Sequence, residues 1–119
     1  MTGYAPKDFA FDIDLGDGHW LAWAGWWPDR SIASNAERYA GIADIERVGA
    51  TIYHSTDKTE TGMCSGFVHF DTPEIAKVFP NAHSRWQVQS WEPLTISPSV
   101  LCNSCGDHGF IREGKWVRA

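Results

Sequence analysis

No run of about 18 apolar residues occurs in these 119 residues, and the N-terminus lacks the basic start and apolar segment of a secretory leader. The expectation is a chain that does not enter the membrane and works in the cytoplasm, the host cytoplasm if a phage encodes it. Cysteine is scarce: three residues, two of them close together, suit thiolates in a reducing compartment better than a disulfide framework. Basic residues are outnumbered, with ten Lys and Arg against fifteen Asp and Glu, and residues 1–70 hold ten acids but five bases. An acidic chain of this kind repels phosphate backbones, so nucleic acid is a disfavoured partner. Known catalytic frames are also missing. The chain has no Gly-x-Ser-x-Gly, no phosphate loop, no His-Glu-x-x-His and no paired carboxylates in a recognisable frame, so motifs name no catalytic residue.

What is present reads mainly as β-structure. Phe9 to Leu15 and His19 to Ala24 flank Gly16-Asp17-Gly18, a hairpin signal, and Pro28 stops the second strand. Residues 31–46 show only weak helical spacing, with Ser34 or Asn35 as the available cap. Ala50 to His54 and Cys64 to Phe70 form a second hairpin pair. Thr72-Pro73 opens one short helix, whose apolar stripe is Ile75, Ala76, Val78 and Phe79 and which Pro80 ends. Arg85 to Trp91 alternates strictly, Leu94 to Ile96 follows Pro93, and the end of the chain turns at Glu113-Gly114. The expected fold class is mainly β (α+β): one domain over 1–119, a compact antiparallel sheet with one short helix and a zinc knuckle near the C-terminal hairpin.

That knuckle is the strongest chemical signal. Cys102, Cys105 and His108 lie within seven residues, and thiolate and imidazole are the ligands Zn²⁺ prefers. A two-residue gap lets one turn aim both sulfurs at the same ion, and Gly106 supplies the left-handed conformation such a turn needs. A tetrahedral site requires a fourth ligand, for which Cys64, His54, His69 and His83 are candidates. His54 and Cys64 stand at facing ends of the predicted hairpin and are the better placed. A redox pair would need a helix start after the cysteines, and a deaminase would need an upstream His-x-Glu helix; neither is present. With an open position the ion would hold a reactive water, and Asp107 would be the nearest base.

Seven Trp in so short a chain is a high load. Trp20 and Trp23 fall on opposite faces of one strand, so part of this aromatic surface needs a partner. Trp23, Trp26, Trp27 and Arg30 therefore make a candidate protein-binding patch, since Trp and Arg dominate binding hot spots.

Leu94-Thr95-Ile96-Ser97-Pro98-Ser99, Cys105-Gly106-Asp107-His108, Gly109-Phe110 and Gly114-Lys115-Trp116 together make a pattern. It resembles an uncharacterised domain family of small bacterial and actinobacteriophage proteins, some members of which lie near bacterial ubiquitin-like operons. The resemblance carries no established activity. It does imply that Cys105 and His108 are shared with the family. The reading that follows is a zinc-structured, non-enzymatic domain that binds a protein, as a phage or bacterial factor acting on a host or defence component. A zinc-dependent hydrolase or deconjugation accessory with an open metal position is the alternative, and a nucleic-acid-binding knuckle is the third.

Overall fold

The computed structural model describes residues 10–81 and 85–119; the start of the first expected strand and the metal candidate His83 lie outside them. Turn chemistry sets much of the frame. Asp17 and Gly18 take positive φ of 51° and 71°, the left-handed pair whose twist matches that of hairpin strands. They join β1 (Ile13–Gly16) to β2 (His19–Trp26). β2 runs against β3 (Ile45–Ser55), and β3 against β4 (Met63–Asp71), in a register that sets His54 opposite Cys64.

Between β2 and β3 lies α1 (Ala33–Arg38), capped not by Ser34 or Asn35 but at Ile32, with no side-chain hydrogen bond. The polar side chains there serve Asp29 instead: Asn35 Nδ2 donates to its carbonyl at 3.1 Å, and Ser31 donates from both N and Oγ to its carboxylate. The second helix, α2 (Pro73–Val78), forms as its sequence predicts. Thr72 Oγ1 accepts from Ile75 N at 3.2 Å, and Ile75 is buried.

The crossover through α2 returns the chain so that β5 (Trp86–Trp91) lies parallel to β4, with Phe70 opposite Trp86. This one parallel pair sits within the otherwise antiparallel sheet, because a crossover rather than a tight turn connects the two strands. Along β5 Trp86, Val88 and Ser90 are half-buried and Gln87 and Gln89 exposed, while Trp91 packs edge-on to the core residue Phe70 at 5.3 Å. β6 (Leu94–Ser97) completes a six-stranded sheet in the order β1 to β6.

A second sheet of three strands follows: β7 (Val100–Leu101), β8 (His108–Arg112) and β9 (Lys115–Arg118). Its hairpin turns at Glu113 and Gly114, with φ of 51° and 73°. The large sheet curls until strands at both its edges, β1 and β6, meet this small one. Gly114 N donates to Leu94 O at 2.8 Å, and Glu113 N to Thr95 Oγ1 at 2.9 Å. One core results, with Leu15, Leu21, Phe70, Leu94, Ile96, Ile111 and Trp116 all buried in it. Each such side chain contributes about 1.5–3 kcal/mol by leaving water. The inner face of the small sheet supplies Ile111 and Trp116; its outer face carries His108, Phe110 and Arg112. No helix among the described residues is long and apolar enough to cross a membrane.

Candidate functional site

The loop from β7 to β8 is a closed knuckle. Cys102 N donates to Asp107 O at 2.8 Å, Gly106 N donates to Cys102 O at 2.7 Å, and Gly106 holds φ at 82°. The turn brings Cys102 and Cys105 against the ends of β3 and β4, where the ladder has already paired His54 with Cys64. Their ligand atoms form one group, all within 4.8 Å of one another, close enough to hold a metal ion. Cys64 Sγ lies 3.4 Å from Cys102 Sγ, and Cys105 Sγ lies 3.7 Å from His54 Nε2. An ion with sulfur ligands at about 2.3 Å and nitrogen at about 2.0–2.1 Å would set tetrahedral ligand atoms roughly 3.5–3.8 Å apart, so the group fits one. Four candidate ligand atoms are thus within reach of one ion.

The thiols respond unequally to this crowding. Burial pushes Cys64 up to about 11, and the neighbouring Cys102 and Cys105 add to the rise. Burial also raises Cys102, but hydrogen bonds from His54, Cys64 and the backbone N–H groups of Cys105 and Ser104 outweigh it and bring Cys102 down to about 6. One thiolate thus forms readily and the next resists, as expected where several sulfurs share a space without a cation.

Behind the group lies a second layer. Asp107, expected as a base only for an open metal, instead bonds His19 Nε2 at 2.6 Å and stands 3.9 Å from His54 Nδ1. His19 and His54 are both buried, and His19 stacks on His54 at 5.3 Å and on Trp116 at 4.0 Å. The carboxylate thus holds the His19 ring directly, while His54 Nδ1 is buried with no hydrogen-bond partner among the described residues.

His108 does not join the metal group. Cys102 and Asp107 point inward, and the strand alternation turns the next residue to the outer face. There His108 Nε2 lies 2.7 Å from Ser99 Oγ, at the start of β7, and its ring stacks on Phe110. With the proton of the neutral imidazole on Nδ1, Nε2 accepts from the serine hydroxyl. That is the arrangement of a nucleophile and its base. Trp86 Nε1 donates to Ser99 O at 3.2 Å and fixes the backbone beneath the hydroxyl. Among the described residues no carboxylate is hydrogen-bonded to His108. Ser99 was visible in sequence only within Ser-Pro-Ser, a phrase that no nucleophile frame contains.

The remaining sequence candidates are committed elsewhere. His69 Nδ1 is 3.2 Å from Phe70 O, and its ring packs on Phe67 and Phe79. Trp23 lies under Arg47 at 4.2 Å and beside Phe70 and Trp91. Trp26 packs edge-on to Tyr39 and Phe79, while Arg30 donates to Tyr39 O and Ile42 O. Of the proposed patch Trp27, at 63%, and Arg30 are exposed, while Trp23 and Trp26 are half-buried against the protein itself.

Comparison with known proteins gives one match. A family model described as bacterial ubiquitination-like system serine protease (BubE) matches residues 49–119, the segment holding Ser99, His108 and all four residues of the metal group. No curated protein and no solved structure matches the chain. The match agrees with the resemblance to a family near ubiquitin-like operons. It overturns the expectation of a non-enzymatic protein-binding domain, because the family is described as an enzyme. The group offers four candidate protein ligands, against the three of the open-site alternative.

Proposed function

We propose that this chain, which belongs to the family of bacterial ubiquitination-like system serine proteases (BubE), cleaves a peptide or isopeptide bond with Ser99 as nucleophile and His108 as general base. The single observation that carries this reading is the 2.7 Å contact between Ser99 Oγ and His108 Nε2. Ser99 Oγ attacks the scissile carbonyl while Nε2 takes its proton. The protonated imidazole then delivers that proton to the departing amine, leaving the acyl group on Ser99. Water, deprotonated by the same nitrogen, releases it. His108 works as the partner of a dyad, its ring lying over Phe110.

The ion we assign to His54, Cys64, Cys102 and Cys105 is zinc, which a three-sulfur, one-nitrogen donor set suits. Its part is structural. Cys102 and Cys105 lie in the loop between β7, which Ser99 immediately precedes, and the base on β8, so tying that loop to β3 and β4 fixes the register of Ser99 against His108. The partner in this reading is a substrate protein of a ubiquitination-like system, a choice that the family description supports.

Three proteins test this: the unsubstituted chain, Ser99→Ala and His108→Gln. A fluorophosphonate probe should label the first and leave the other two unlabelled. Peptidase activity should fall at least about a hundredfold in both variants, the range lost with a general base, while the zinc content stays at that of the parent. Labelling that persists in Ser99→Ala would sink the assignment.

A further inference from the structure

Beside the Ser99–His108 pair, between the outer edge of β7 and the outward face of β4, lies a groove of about 430 Å³ lined by Gly66, Phe67, His69, Trp86, Leu101 and Asn103 among others. Two of its walls are exposed apolar side chains, Phe67 at 50% and Leu101 at 53%. Part of its floor is bare backbone, because a Cβ on Gly66 would meet nothing within 4 Å. Trp86 both lines the groove and holds Ser99 O. Ser65, His69, Asn103 and Ser104 supply polar groups to its lining, and among the described residues no Asp, Glu, Lys or Arg lines it. A carboxylate entering would find no Lys or Arg to pair with, whereas an apolar side chain seated against Phe67, Trp86 and Leu101 would gain by burial.

The backbone of β7 adds a second feature. Because Cys102 N donates to Asp107 O, Leu101 and His108 form the non-hydrogen-bonded pair of the β7–β8 ladder. The N–H and C=O of Leu101 therefore point away from β8, toward the groove. An extended peptide finds there what a sheet edge offers, main-chain partners with a pocket for alternate side chains.

We infer that this groove receives the substrate segment on the acyl side of the scissile bond, paired with the Leu101 backbone and seating one apolar side chain between Phe67, Trp86 and Leu101. The inference rests on the Ser99–His108 reading. The acyl side is the one to hold, since it stays on Ser99 until water releases it while the amine departs. Leu101 is two residues from Ser99, about 6–7 Å along a strand, so the seated side chain sits about two residues from the scissile carbonyl.

The test uses the full chain carrying Ser99→Ala and measures fluorescence anisotropy with labelled extended peptides that vary one position at a time among Leu, Ala and Asp. At one position Leu should bind at least about tenfold tighter than Ala, with Asp weakest. Adding Phe67→Ala or Leu101→Ala, each of which removes an exposed apolar wall of the groove, should reduce that preference. Equal binding of the three peptides, or a preference that survives both variants, overturns the inference. Fluorophosphonate labelling of the unsubstituted chain is scored separately. A Leu preference without labelling would overturn the catalytic reading and support the groove, and labelling without a preference would overturn the groove alone.

Discussion

His108 and Cys105 are three residues apart and join different groups of side chains. Spacing groups them because a knuckle and a hairpin both need short turns. Side-chain direction separates them, since β8 begins at His108 and sends it outward while the knuckle turns its sulfurs in. The thiols also carry a pH dependence. In metal-free protein, Cys102 ionises at about 6 rather than 9.0, so its contribution to stability is complete above pH 9 and is lost as pH falls through about 6. Cys64, raised to about 11, contributes the opposite limb: its stabilisation is complete below pH 9 and is lost as pH rises through about 11. Chelated protein should therefore have its highest melting temperature near pH 9, among these two contributions. Cys102→Ser should remove the rising limb, read from melting curves across pH; an unchanged rise would count against the lowered Cys102 value.

At the scale of elements, the C-terminal hairpin is the piece that joins site to core. Its inner face packs Trp116 over Gly109, so closely that a Cβ at position 109 would stand 2.5 Å from Trp116 Cζ2. The same indole stacks on His19, which bonds Asp107. Gly109→Ala should thus push the ring, and through it the layer behind the metal group, costing about 1–3 kcal/mol as overpacking does. Urea denaturation checks the cost, and a variant as stable as the parent would show that the ring moves freely. The elements themselves were largely legible. Thr72-Pro73, the Asp17-Gly18 turn, the Glu113-Gly114 turn and the alternation of β5 are local signals that the structure keeps. The cap of α1 was not legible, because Asp29 competes for Ser31 and Asn35 from outside the helix. Nor was the parallel pairing of β4 with β5, which depends on where α2 delivers the chain.

For the whole molecule, the metal group spans β3, β4 and the β7–β8 loop, so it ties the small sheet to the large one. Removing the ion with a chelator should lower the melting temperature, loosen the small sheet first in hydrogen exchange, and abolish Ser99 labelling by the fluorophosphonate; adding Zn²⁺ back should restore all three. Full labelling in chelated, metal-free protein would mean that the ion does not hold the dyad in register. The sequence by itself determined the β class, the strands and turns, and the ligand types of the knuckle, because these follow from alternation, from positive-φ glycines and from donor chemistry within a few residues. It also placed His54 beside Cys64, since a hairpin register is a local property. Only the tertiary structure decided which side chains share a site. The curl of the large sheet brings the knuckle to His54 and Cys64, and the facing of β7 and β8 turns His108 from the metal to Ser99; both depend on three-dimensional packing that no residue spacing encodes.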